Sequence, residues 1–137
     1  MRRILTALFL TFALTLPPFM AKAQDLGEFR RIIEGQIAAF QSGDGEGAYQ
    51  FASPNIKAIF PNVEMFMGMV EKGYPQIWRP KSVRFGGISD DLGGPTQKVL
   101  IIDQGGKLWQ VLYLMQQQPD GSWKINGVRV QEAAGEA

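Results

Sequence analysis

Through its first half the chain repeats apolar residues at helical spacing. Leu26, Phe29, Ile33, Ile37 and Phe40 stand three, four, four and three positions apart, which is one stripe of an amphipathic helix. Asp25 precedes the stripe and Glu28 follows three residues on. That pair reads as a capping box, so the helix is expected to start there. Ser42-Gly43 ends it. Asp44 is placed to cap a second, shorter helix through about Ala52, with Ala48, Tyr49 and Phe51 turned inward. Ser53-Pro54 sets a cap and a first-turn proline ahead of a brief turn carrying Ile56, Ile59 and Phe60. Pro61-Asn62 restarts the chain, and Val63, Phe66, Met67, Val70 and Tyr74 mark a third helix closed near Gly73. Met65, Met67 and Met69 alternate and cannot all face one way, so they read as core filling with one exposed member.

From Ser82 the period becomes two. Val83 and Phe85 share one face, and Gly86-Gly87 permits a bulge or bend. Thr96 to Asp103, Leu108 to Gln118 and Trp123 to Gln131 read as strands, joined by turns at Gln104-Gly105-Gly106 and Pro119-Asp120-Gly121. Helices followed by an antiparallel meander predict an α+β domain with the helices on one sheet face. In the longest strand Trp109, Val111, Tyr113 and Met115 point one way, and Leu108, Leu112 and Leu114 the other. Both faces are apolar, so a homodimer through the second face is expected.

The N-terminal segment changes the compartment and the charge. Met1-Arg2-Arg3 is basic, Ile4 to Leu16 is an uncharged apolar run, and Ala21-Lys22-Ala23 offers a small-residue cleavage site. These features predict a secretory signal peptide over residues 1–23, hence a periplasmic or secreted protein, and a run too short to span a bilayer. Cleavage after Ala23 takes 23 of 137 residues and leaves 114, with one domain over 24–132 and a flexible tail over 133–137. Arg2, Arg3 and Lys22 leave too, so 14 basic residues become 11 against 13 acidic, a net charge of −2. No basic field remains to attract nucleic acid or, after cleavage, a membrane. The chain has no Cys and no His. That excludes disulfides, imidazole bases, serine or cysteine triads and His-bound zinc. Proton transfer would fall to Asp, Glu, Lys or Tyr.

The helix ending Ala39-Phe40, then Gly43-Asp44, then Ala48-Tyr49-Gln50-Phe51-Ala52-Ser53-Pro54-Asn55-Ile56, resembles the start of nuclear transport factor 2-like domains. Through Tyr74, Gly105-Gly106-Lys107-Leu108-Trp109 and the closing Asp120-Gly121-Ser122-Trp123-Lys124-Ile125, the chain is similar to the bacterial family called domain of unknown function 4864. The likeness runs from about Leu26 to Val130. It implies N-terminal helices packed in a curved antiparallel β-sheet, a cone with one open end. That superfamily holds enzymes, ligand binders and bare dimerisation modules, so the fold does not choose among them.

Such a cone leaves an apolar cavity, for which Tyr49, Phe60, Phe66, Tyr74, Trp78, Phe85, Trp109 and Tyr113 are the candidate lining. Asp103 ends an apolar strand and is the candidate catalytic carboxylate, its pKa raised by desolvation. An isomerase or dehydratase would pair it with Tyr113 or Tyr49. Against that stands an ordinary turn role for Asp103. Asp90-Asp91 lacks calcium-loop spacing and reads as solvated turn, so no metal and no cofactor are expected. Arg79 and Lys81 beside Trp78 could meet an anion at the cone's mouth. The expectation is an exported, non-enzymatic domain that binds a small apolar ligand or serves assembly. The alternatives are the enzyme and a pure dimerisation module.

Overall fold

A computed structural model describes residues 18–133, with side chains from Gly27 onward. Met1 to Pro17 of the expected signal peptide and residues 134–137 of the expected tail lie outside the described residues. Helix α1 (Pro18–Ser42) starts well before Asp25, which therefore stands inside the helix and not at its cap. Ala21, Lys22, Ala23 and Gln24 all favour helix, and nothing among them interrupts the ladder. The apolar stripe is as read from Phe29 onward, the Leu26 side chain lying outside the described residues. Phe29, Ile33, Ile37 and Phe40 are all buried, and Ile32, Gln36 and Ala39 widen the buried face.

Gly43, at φ +71°, ends α1 in the left-handed region that glycine adopts without strain. Asp44 then caps α2 (Gly45–Tyr49), its side chain accepting from the Gly47 N–H at 2.9 Å. The helix is shorter than expected because the chain leaves it to meet the sheet. The Ser53 N–H donates to the Ile125 carbonyl at 2.9 Å, and the Ile125 N–H donates to Phe51 at 2.8 Å. Ser53 caps α3 (Pro54–Ile59), and Asn62 caps α4 (Val63–Gly73) through the Met65 N–H at 2.8 Å. A fifth helix, α5 (Pro75–Trp78), has four residues, too few for any periodicity to reveal. Of the three methionines Met65 is exposed, while Met67 and Met69 pack on the core.

The four strands are β1 (Ser82–Ser89), β2 (Thr96–Ile102), β3 (Leu108–Gln117) and β4 (Trp123–Glu132), in the order β1-β2-β3-β4 and antiparallel throughout. Among the described residues, five helices thus pack on a four-stranded antiparallel sheet. β1 continues past Gly86-Gly87, where the register shifts between Phe85 and Ile88. A second shift lies opposite Leu114 and Met115, which pair with Gly127 and Ile125 and leave Asn126 over.

Val99, Ile101, Val111, Tyr113, Met115 and Ile125 form the sheet's contribution to the core beneath the helices. The opposite face carries Leu100, Leu112 and Leu114. Leu112 is only 3% exposed within a single chain, between Lys98 and Arg129 in the ladder. Long cationic side chains cover apolar surface with their stems while keeping the charge in water. This leucine row therefore does not by itself require a second subunit. Arg84, Lys98 and Arg129 share that face, and none of its strand residues is acidic. Two such faces brought together would oppose like charges.

Phe29 joins α1 to the sheet, its ring edge-on to Trp123 with centroids 4.8 Å apart. Phe29→Ala is expected to lower unfolding free energy by about 3–5 kcal/mol, as for large buried aromatics. Ile59→Ala, at a site 63% exposed, is expected to change it by less than about 0.5 kcal/mol. Urea denaturation of the two variants checks both values.

Candidate functional site

Three side-chain ties fix the positions of the helices relative to one another and to β4. The Ser53 hydroxyl donates to Asn126 Oδ1 at 2.7 Å, which seats the start of α3 on the bulge of β4. The Tyr49 hydroxyl donates to the Phe60 carbonyl at 2.6 Å and pins the far end of α3 to α2. Arg79 Nη1 donates to the Phe40 carbonyl at 2.6 Å, near the C-terminal end of α1. That carbonyl also accepts from the Gly43 N–H at 3.2 Å, and a cation in the last turn of a helix is favoured by the helix dipole.

Between these ties lies a cavity of about 290 Å³. α1 supplies Gln36 and Phe40, and α3 supplies Ile56 and Phe60. Phe66, Met69 and Val70 come from α4, with Tyr74 and Ile77 beside them. β4 closes the remaining side with Ile125, Gly127 and Val128. No lining residue is charged. Gln36 is the main polar exception. Its side chain is nearly fully buried, and its Nε2 donates to the Ala48 carbonyl at 3.2 Å. No hydrogen bond reaches its Oε1 among the described residues.

Of the eight residues expected to line a pocket, Phe60, Phe66 and Tyr74 meet at this cavity. The other five do not line it. Tyr49 is a strut whose ring lies 5.4 Å from that of Phe66. Trp78 packs against Phe40 at 5.6 Å and carries the Arg79 guanidinium over its face at 5.0 Å. Phe85 packs on the core with the Arg30 guanidinium 5.1 Å from its ring. Trp109 donates its indole N–H to Asp103 Oδ2 at 2.8 Å. Tyr113 is wholly enclosed by the core, where burial pushes its phenol pKa up and no partner meets its hydroxyl among the described residues. Aromatic residues are the natural expectation for a lining, yet aliphatic side chains outnumber the four aromatic ones in it. Gln36 carried a legible signal: it is the one polar residue on a helix face otherwise made of Ile32, Ile33, Ile37 and Phe40.

The raised pKa expected at Asp103 is reversed. The Trp109 indole, then the Lys107 and Gly105 amides and the Lys107 charge, hold its carboxyl below the ordinary aspartate value of 3.8, against a smaller effect of burial. Oδ1 accepts from both amides at 2.9 Å, so the carboxylate organises the β2–β3 turn. Asp103 lines a separate recess of about 190 Å³ with Gln76, Arg79 and Gln104. Neither Tyr113 nor Tyr49 lines that recess or the main cavity. The acid and phenol of the enzyme alternative are thus not brought to a shared site. Arg79 is occupied by the Phe40 and Trp78 carbonyls through Nη1, and Lys81 extends the sheet edge by donating its N–H to Ile102. Asp90 and Asp91 sit in the β1–β2 loop, where the Gly93 N–H donates to the Asp90 carbonyl at 2.9 Å. Among the described residues no group of three or more acidic side chains could hold a metal ion, and no helix is long and apolar enough to cross a membrane.

The family model described as "Domain of unknown function (DUF4864)" matches residues 22–137. No curated protein and no solved structure matches the chain.

The Asp103 hydrogen bonds give a pH dependence of known sign. A carboxyl whose folded pKa is depressed stabilises the fold above its unfolded pKa, and the contribution disappears as pH falls through the folded value. The melting temperature of the parent chain should therefore exceed that of Asp103→Asn near neutral pH, and the gap should close below about pH 4. Thermal melts of both proteins from pH 7 to pH 2 check this. A gap that stays constant with pH would contradict the role given to the carboxylate.

Proposed function

The chain belongs to the DUF4864 family, and we propose that it is an exported binding protein for a small apolar molecule. The observation that carries the reading is the cavity of about 290 Å³ with no charged residue in its wall. Interiors of this size of domain are otherwise close-packed, and apolar walls held apart around a cavity that opens to solvent forgo contact energy with one another. A ligand of matching shape restores those contacts. The volume is near the lower end of the range for small-molecule sites. The finer architecture we assign is a nuclear transport factor 2-like cone, with the helices in the hollow of the sheet and the cavity near its mouth. Its support is the order of helices before meander and the core on one sheet face.

Export is supported by the basic start, the apolar run and Ala21-Lys22-Ala23, and by a family match that begins at residue 22, next to the expected cleavage point. The enzyme reading receives no comparable support, since its acid and its phenols do not share a cavity.

The full chain, expressed with its own N-terminus, should be recovered outside the cytoplasm with a mass that begins at Gln24. Native mass spectrometry of that protein should reveal a non-covalently held small molecule. Met69→Trp, which fills the cavity from α4, should lose the molecule while keeping the parent far-UV circular dichroism. Recovery of uncleaved cytoplasmic protein would refute export. A protein with no bound molecule, or a molecule retained equally by Met69→Trp, would refute binding in this cavity.

A further inference from the structure

The polar side chain in the cavity wall specifies more than size. Gln36 is 3% exposed, on the buried face of α1, and its amide has two ends with different tasks. The Nε2 end donates to the Ala48 carbonyl. That carbonyl also accepts from the Phe51 N–H at 3.3 Å, so it is an acceptor already fixed by the backbone turn after α2. Turning the amide over would set its oxygen against the Ala48 oxygen. The hydrogen bond therefore fixes the amide's orientation, and the carbonyl Oε1 is the end left for the cavity, without a partner among the described residues.

We infer that the cavity selects a neutral molecule with an apolar body and one hydrogen-bond donor, the donor seated on Gln36 Oε1. This rests on the cavity being the binding site. An acceptor-only group, such as an ether or ketone, would meet oxygen with oxygen and leave both unsatisfied. An ionised carboxylate would fare worse, because no cation lines the wall to offset its desolvation. Phenols, alcohols and N–H heterocycles fit the rule. At interior packing density the volume accommodates about ten non-hydrogen atoms. A single ring with a short alkyl chain, or a medium-chain alcohol, is the matching size.

The wall explains why the selectivity falls on this one residue. Tyr74 also lines the cavity where the chain passes from α4 to α5, but it is only half-buried, whereas Gln36 is nearly fully buried. Ser53, although fully buried, directs its hydroxyl to Asn126 and also accepts from the Ile56 N–H. Tyr113 lies outside the lining. Among the described residues, Gln36 is thus the one nearly buried polar side chain of the lining, and its Oε1, which no protein donor meets, is open to whatever fills the cavity.

The test compares three para-substituted benzenes of ten non-hydrogen atoms each on the mature chain by isothermal titration at neutral pH: 4-propylphenol, 4-ethylanisole and 4-methylbenzoate. The phenol should bind about tenfold more tightly than the anisole, the ratio expected when a buried acceptor goes unpaired, and the benzoate more weakly still. In Gln36→Leu the phenol and anisole should bind within about twofold of each other. If that variant fails to fold, Gln36→Met serves, and the parent protein's phenol-to-anisole ratio remains decisive without any variant. Equal binding of phenol and anisole to the parent protein would overturn the donor rule while leaving an apolar cavity. So would a tenfold preference that persists in both variants, or a benzoate that binds as well as the phenol. Failure of all three probes to bind would instead overturn the cavity as a binding site.

Discussion

The short strand-like contact between Phe51–Ser53 and β4 is the constraint on which the rest of the site depends. Two backbone hydrogen bonds through Ile125 and a parallel bridge between Ala52 and Ile125 attach the helical layer to the sheet edge. Ser53 sits at the centre of this contact with its side chain buried. It caps α3 and, through its hydroxyl, binds the asparagine that the β4 bulge leaves over. One residue therefore sets both where α3 begins and where it rests. Without that anchor α3 and α4 could settle onto α1, and the space lined by Gln36 and Phe40 would fill with Ile56 and Met69. Collapse of that kind is what a void ordinarily invites, because each missing contact costs dispersion energy.

Much of this frame is legible in the amino-acid order. Caps at Asp44, Ser53 and Asn62 are local chemistry, since each side chain satisfies a donor only a few residues away. Strand boundaries are legible for the same reason, with Gly106 and Gly121 at positive φ in the hairpins. The start of α1 is not legible, because Asp25 and Glu28 satisfy the capping pattern while the helix-favouring residues before them let the ladder continue. α5 and the β4 bulge are invisible to periodicity, being respectively too short and a matter of pairing with another strand. Leu112 illustrates a different gap. Its apolar neighbours along β3 suggest a face in need of a partner, while the cross-strand residues beside it are Lys98 and Arg129.

The site was harder to read than the fold because a cavity is a property of what fails to meet. Aromatic residues draw attention, yet Tyr113, Trp78, Phe85 and Trp109 fill space or brace turns. Asp103 follows the same logic. At the end of an apolar strand it suggests a desolvated acid, but the turn folds its own amides and the Trp109 indole onto the carboxylate, which favours the charged form. Gln36 has the opposite history. Among isoleucines on a helix it looks like a tolerated polar residue, yet it lines the cavity, with its Nε2 on the Ala48 carbonyl and no protein donor on its Oε1 among the described residues. Chemistry at both positions follows from neighbours distant in sequence.

The central claim is that the space between α1, α3, α4 and β4 is where an apolar molecule binds. Methyl-detected NMR on the mature chain, titrated with 4-propylphenol, tests it most directly. The account predicts that the shifts concentrate on the methyl groups of Ile56, Met69, Val70, Ile77, Ile125 and Val128. Shifts concentrated on Leu100, Leu108 and Leu112 of the opposite sheet face, with these six unmoved, would contradict it.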